Sequence, residues 1–92
     1  MRRRYIVVDE RDNVATAIVD LSMGEHVETL RGRIVLLGEI RYGHKFALED
    51  IPLGGYIVKY GEQIGRATAS ITRGDHVHVH NVEDIVDEVR KR

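Results

Sequence analysis

The stretch Ile71-Thr72-Arg73-Gly74-Asp75-His76-Val77-His78-Val79-His80-Asn81 decides how this chain is read. From Asp75 onward polar and apolar residues alternate, which is the period of a β-strand. His76, His78 and His80 are therefore expected on one face, with Val77 and Val79 on the other. Same-face neighbours on a strand lie about 6.6 to 6.8 Å apart at their Cα atoms. Two imidazoles at that spacing can converge on one metal ion or one anionic ligand. Histidine is also the side chain best poised to move protons near neutral pH. An exposed polar face on an edge strand accounts for the same alternation without any ligand, and the pattern alone leaves both readings open.

The first half of that stretch, Ile71-x-x-Gly74-x-x-Val77, is a phrase that occurs twice more, as Leu21-x-x-Gly24-x-x-Val27 and Ile51-x-x-Gly54-x-x-Ile57. Each sets a Gly-centred turn between two apolar residues. The first and third extend further, because Ala15-Thr16-Ala17 before Gly24-Glu25-His26-Val27 resembles Ala67-Thr68-Ala69 before Gly74-Asp75-His76-Val77. The repetition is too short for a stacked solenoid and suggests pseudo-symmetric halves of one β domain.

Working outward, enrichment in β-branched residues between turn signals predicts strands at 5–8, 14–21, 27–30, 33–40, 45–47, 56–59, 63–69 and 76–80. Leu48-Glu49-Asp50-Ile51 reads as a short helical turn before Pro52, the one proline. The last segment reads as a helix, with Asn81 as N-cap and Val82, Ile85, Val86 and Val89 at the 3.6-residue period. Acidic Glu83 and Asp84 in its first turn and Arg90-Lys91-Arg92 in its last complement the helix dipole. The expected fold class is thus mostly β with a C-terminal helix, in one domain spanning residues 1–92.

With 92 residues the chain has room for a single modest core. A large private active site is not expected. The net charge is −1, and the charges are interspersed apart from short clusters at Arg2-Arg3-Arg4 and Arg90-Lys91-Arg92. That balance points away from nucleic acid and membrane partners. The absence of cysteine excludes a disulfide framework, a thiolate nucleophile and a thiolate metal site. No apolar run approaches a membrane span, and none follows the N-terminal arginines as it would in a secretory signal, so a cytoplasmic location is expected.

A second polar cluster pairs His44 with Lys45 just after Gly43. Adjacent residues on a strand point to opposite faces, so both reach one ligand only if Gly43 bends the chain. Four phrases then follow in order: Asp12-Asn13-Val14-Ala15, Gly43-His44-Lys45-Phe46-Ala47-Leu48-x-Asp50-Ile51, Tyr60-Gly61-Glu62-x-Ile64-Gly65-x-Ala67, and Gly74-Asp75-His76-Val77-His78-Val79-His80-Asn81. Together they resemble the SAF domain of the altronate and galactarate dehydratases, from about Asp12 to Asn81. The His-x-His-x-His-Asn ending is similar to the altronate type in particular.

That resemblance implies a β-clip fold and the small subunit of a split sugar-acid dehydratase, a hydro-lyase whose large catalytic subunit is the expected partner. It also implies a divalent metal, Fe2+ or Mn2+, and a sugar-acid substrate. On this reading His76, His78 and His80 contact metal or substrate. Lys45 pairs with the substrate carboxylate, with Asn13 and Tyr60 as further substrate contacts, and His44 transfers protons or donates hydrogen bonds. His26 is a weaker candidate. Turn chemistry offers Asn13, Asp50, Gly61 and Gly65 purely structural roles. The alternatives are the small subunit of a sulfolactate sulfo-lyase, a non-catalytic sugar-acid-binding or assembly module, and a freestanding metal-binding protein. Exposed β edges in so small a domain also favour a homo-oligomer.

Overall fold

A computed structural model describes residues 3–85. These residues form nine short strands: β1 (Tyr5–Ile6), β2 (Val14–Ala17), β3 (His26–Thr29), β4 (Gly32–Val35), β5 (Lys45–Ala47), β6 (Tyr56–Lys59), β7 (Glu62–Ala67), β8 (His76–Val77) and β9 (Val82–Asp84). They pair into a four-stranded sheet in the order β1-β2-β5-β8, a β3-β4 hairpin, and a three-stranded sheet in the order β6-β7-β9. Every pairing is antiparallel.

The four-stranded sheet lies between two apolar clusters, and the period-2 alternation of its strands assigns side chains to each. Ala15, Ala17 and Phe46 face one cluster, which the β3-β4 hairpin completes with Val27 and Ile34. Val14, Ala47 and Val77 face the other, which Ile57 and Ala67 complete from β6 and β7. Phe46 is fully buried and meets the Tyr5 ring edge-on, with 6.1 Å between centroids. Truncating so large a buried side chain costs about 3 to 5 kcal/mol, a large share of the stability of a small domain.

The repeated phrase marks real internal symmetry. Leu21 bridges to Ile40 and Ile51 bridges to Ile71, so the phrase has a fourth copy, Ile40-x-x-Gly43-x-x-Phe46. All four central glycines, Gly24, Gly43, Gly54 and Gly74, take the left-handed conformation, with φ of 86°, 84°, 83° and 93°. Acidic side chains hold the turns: Glu25 accepts from the Ser22 amide and Asp75 from the Thr72 amide, while Asp20 and Asp50 accept from the amides of Tyr42 and Arg73. The structural repeat therefore runs from Leu21–Phe46 to Ile51–Val77. Ala17 matches Ala47, because Gly43 donates to the Ala17 carbonyl as Gly74 does to that of Ala47. The expected match of Ala15–Ala17 to Ala67–Ala69 is superseded by these hydrogen bonds.

Three further expectations change. In place of the start of a C-terminal helix, Val82–Asp84 forms β9 and adds to the edge of β7, pairing Gly65 with Asp84, Arg66 with Glu83 and Ala67 with Val82. Two features favour the strand. Val82 is β-branched and packs against the second apolar cluster, and Gly65 lacks the Cβ that would collide with it. Val86 and Val89 lie outside the described residues. Leu48–Ile51 forms a bend leading into the Ile51–Ile71 bridge and not a helical turn. Finally, the strand expected over 76–80 ends at Val77.

Candidate functional site

The two symmetric turns at Gly43 and Gly74 deliver their chains side by side, as β5 and β8. The register pairs Phe46 with His76 and Lys45 with Val77, which brings His44 beside His78. Beyond Val77 the chain turns back. The buried Asn81 side chain accepts from the His78 amide at 2.9 Å and donates to the His76 carbonyl at 2.8 Å, and its own amide donates to the His78 carbonyl. Asn81 is thus the lock of a turn and not a helix cap. It ties down the backbone at both His76 and His78, where the chain enters the reversal.

The result is a stack of imidazoles. The His44 and His78 rings lie 4.3 Å apart between centroids at 18°, His44 and His76 are 5.1 Å apart at 16°, and His76 and His78 are 5.3 Å apart at 14°. His44 Nδ1 and His76 Nε2 share a 2.9 Å hydrogen bond, so one ring donates and the other accepts. One nitrogen from each of His44, His76 and His78 falls within 4.8 Å of the other two. The sequence pattern had grouped His80 with His76 and His78. The geometry groups His44 with them instead and leaves His80 exposed, its ring tilted by 34° against the outer side of His76.

Burial and crowding favour neutral rings. Partial burial, followed by the nearby His44, His80, His78 and Lys45, holds His76 below the usual imidazole range. The same direction holds for His78, through desolvation and then the neighbouring His44, Lys45 and His80. Neutral rings keep the lone pairs that coordination needs. Imidazole nitrogens bind a first-row divalent ion at about 2.0 to 2.2 Å, so two adjacent donors on one ion stand about 3 to 3.5 Å apart. His44 Nδ1 and His76 Nε2 stand at 2.9 Å, and the donors of all three rings lie within 4.8 Å of one another. The three could together hold a metal ion.

Lys45 lies on the other face of β5, directly across from Thr16 on β2. Its half-buried ammonium is held below the usual lysine range by desolvation and by the nearby charge of Lys59. Asn13 serves the backbone: its amide donates to the Tyr56 carbonyl at 2.9 Å and accepts from the Val58 amide at 2.8 Å, tying β2 to β6. The neighbouring Asp12, wholly buried, accepts from the Asp9 and Gly61 amides. Tyr60 is exposed, in a left-handed conformation with φ of 59°, and its ring lies 4.9 Å below the Lys59 ammonium. His26 stands apart from the cluster, exposed on β3, where it lines an open groove of about 750 Å3 with Tyr5, Leu30 and Arg31. Neither the three stacked histidines nor His80 lines that groove.

Fold and site together define a small antiparallel β domain that presents an imidazole cluster at the junction of two symmetric turns, a donor set suited to a metal or an oxyanionic ligand. Residues 3–85 match the family described as the altronate/galactarate dehydratase SAF domain, and the chain belongs to that family. It is 45% identical over 78 residues to altronate dehydratase of Escherichia coli, covering 85% of this chain and 16% of that one. It is 35% identical over 88 residues to altronate dehydratase of Bacillus subtilis, covering 96% of this chain and 18% of that one. It is also 39% identical over 49 residues to (2R)-sulfolactate sulfo-lyase subunit alpha of Paracoccus pantotrophus, covering 53% of this chain and 73% of that subunit. The chain therefore spans less than a fifth of the length of these two dehydratases.

Proposed function

We propose that this domain works as the small, SAF part of a sugar-acid dehydratase of the altronate type, lending metal- and substrate-contacting side chains to a much larger catalytic region. The observation that carries the reading is the convergence of His44, His76 and His78 in a chain 45% identical to the matching part of an altronate dehydratase. The relatives named as a sulfo-lyase subunit alpha support a separate-subunit arrangement.

Dehydration of a sugar acid removes a weakly acidic proton next to a carboxylate and expels hydroxide from the neighbouring carbon. A divalent ion, when bound, supplies Lewis-acid stabilisation of the developing enediolate charge. His44, His76 and His78 would hold it, with Asn81 fixing the backbone from which two of them project. Lys45 projects from the opposite face of β5 and is given no part in this reading. His80, outside the trio and in contact with solvent, is the imidazole left free to carry a proton or donate to a hydroxyl, the role first expected of His44.

The test is altronate dehydration by the complex of this domain with its catalytic region, comparing wild type with His78→Ala. Loss of turnover with unchanged thermal unfolding is the expected result. Near-normal turnover would contradict the assignment. A sulfo-lyase reading would be favoured if the same complex ignored altronate and released sulfite from sulfolactate.

A further inference from the structure

We propose that two hairpin tips, at Leu30 and Tyr60, form a paired apolar anchor that docks this domain onto the catalytic region, at a place apart from the histidines. The tips are counterparts. β3 and β6 occupy the same place in the structural repeat, and each runs through a two-residue tip, Leu30-Arg31 or Tyr60-Gly61, into β4 or β7. Both tips are pinned to one residue. Arg31 donates to the Asp12 carbonyl at 2.6 Å, and the Gly61 amide donates to the Asp12 carboxylate at 2.8 Å. Arg31 also pairs with Glu49 at 2.7 Å, while Arg11, ion-paired with Asp9, packs against Gly61 where a Cβ would collide with it. Asp12 is wholly buried, so both tips rest on a fixed base. They lie toward the Leu48 end of β5, where the Leu48 amide donates to the Asn13 carbonyl, and His44 stands at the other end.

Neither tip carries the residue that its turn favours. φ is positive at both Tyr60 and Gly61, the pattern of a type I′ turn, in which Asn-Gly is preferred and a bulky side chain at the first position is strained. The ring held there is more than half exposed, with the Lys59 ammonium 4.9 Å from its centroid. Leu30, at the other tip, is the most exposed large apolar side chain among the described residues, at a place where small or polar residues serve a turn best. Val7 and Val8, exposed on the segment that leads to Asp9, extend the apolar surface. The open groove of about 750 Å3 begins beside Leu30 and Val7. Exposed apolar side chains gathered on a rigid base, with a tyrosine among them, suit a protein interface, because they add contact area at little ordering cost. The occupant is the catalytic region, since this chain spans less than a fifth of its dehydratase relatives and so small a domain is seated against that bulk. The proposal rests on the dehydratase reading and adds to it the surface that joins the two parts.

The experiment measures binding of the full chain to its catalytic region by sedimentation velocity, with altronate turnover of the mixture read alongside. Leu30→Asp and Tyr60→Asn should each weaken association at least tenfold. Because Asn-Gly suits the turn, Tyr60→Asn should also raise the urea midpoint of the lone chain, so its lost association is not a loss of fold. Met23→Ser, which removes another exposed apolar side chain at the Gly24 turn, should bind as wild type. Undiminished association in either tip variant, an equal loss in Met23→Ser, or a lowered midpoint in Tyr60→Asn would overturn the anchor. So would a dimer of the lone chain that the tip substitutions dissolve without weakening the catalytic region's hold. Should wild type bind through the tips while altronate is left untouched, the dehydratase reading falls and the anchor stands. Should turnover persist in tip variants that bind as wild type, the anchor falls and the reading stands. Absence of any wild-type association removes both.

Discussion

The turns at Gly24 and Gly74 have the same plan and lead to different ends. Each centres on a left-handed glycine and is held by an acidic side chain one residue later, Glu25 in one and Asp75 in the other. From Gly24 the chain runs into a regular hairpin, β3-β4, which covers a core. From Gly74 it runs two residues into the central sheet and is then reversed by Asn81. The first turn leaves its histidine, His26, alone on an exposed strand. The second sets His76 and His78 against His44 from the symmetric turn at Gly43. A duplicated structural unit thus supplies the frame twice, and chemistry collects where the two copies meet.

Gly24→Ala and Gly74→Ala separate the two turns most sharply. Both force a side chain into a left-handed conformation, which costs roughly 1 to 2 kcal/mol. A Cβ at position 24 meets open space, whereas one at position 74 collides with the Val35 carbonyl, adding an overpacking cost of about 1 to 3 kcal/mol. Urea unfolding should show Gly74→Ala as clearly the more destabilised. Equal losses would mean that the close approach of β4 to the second turn is not structurally important.

Asn81→Ala sharpens the comparison at the turn that ends β8. It strips two side-chain hydrogen bonds from buried or half-buried backbone and should cost about 1 to 3 kcal/mol. It should also loosen the imidazole stack, read as weaker Mn2+ binding. His76→Ala or His78→Ala should lower Mn2+ affinity by at least tenfold in isothermal titration, with His26→Ala indistinguishable from wild type. A matching loss in His26→Ala would remove the functional distinction between the two turns.

The smallest expected effect is on pH dependence. His76 and His78 are held below the ordinary imidazole value of 6.5 in the folded state. Below that value the unfolded chain therefore binds more protons than the folded one. Their neutral packing contributes stability that is fully present above pH 6.5 and is lost as pH falls through their lower folded values. Denaturation midpoints should fall as pH drops from 7 toward 5, and less so in a His76→Gln/His78→Gln double variant. An unchanged slope in that variant would place the acid sensitivity elsewhere.

Much of this was legible in the residues. The alternation of β-branched positions and the glycine turns point to an all-β domain, and the Gly-centred phrase announces the internal symmetry. The fourth copy at Gly43 was hidden because its second apolar position is Phe46, inside a phrase read for His44 and Lys45. The start of the helix expected from Asn81 is replaced by β9 because an apolar period also suits a short edge strand, and an open β7 edge with Gly65 beside it decides between the two over Val82–Asp84. Likewise, alternation predicts that His76, His78 and His80 share a face only while the strand continues. Asn81 ends it, and no local pattern reveals that His44 is the third member. That grouping is a product of β5-β8 register, which is tertiary.

The central claim is that His44, His76 and His78 form one metal-binding group. It is tested most directly by adding Mn2+ to the 15N-labelled chain and mapping paramagnetic broadening residue by residue. The account predicts broadening centred on residues 43–45 and 76–79, abolished by His44→Ala and retained in His80→Ala. Broadening centred on the acidic surface, or dependent on His80 and indifferent to His44, would contradict it.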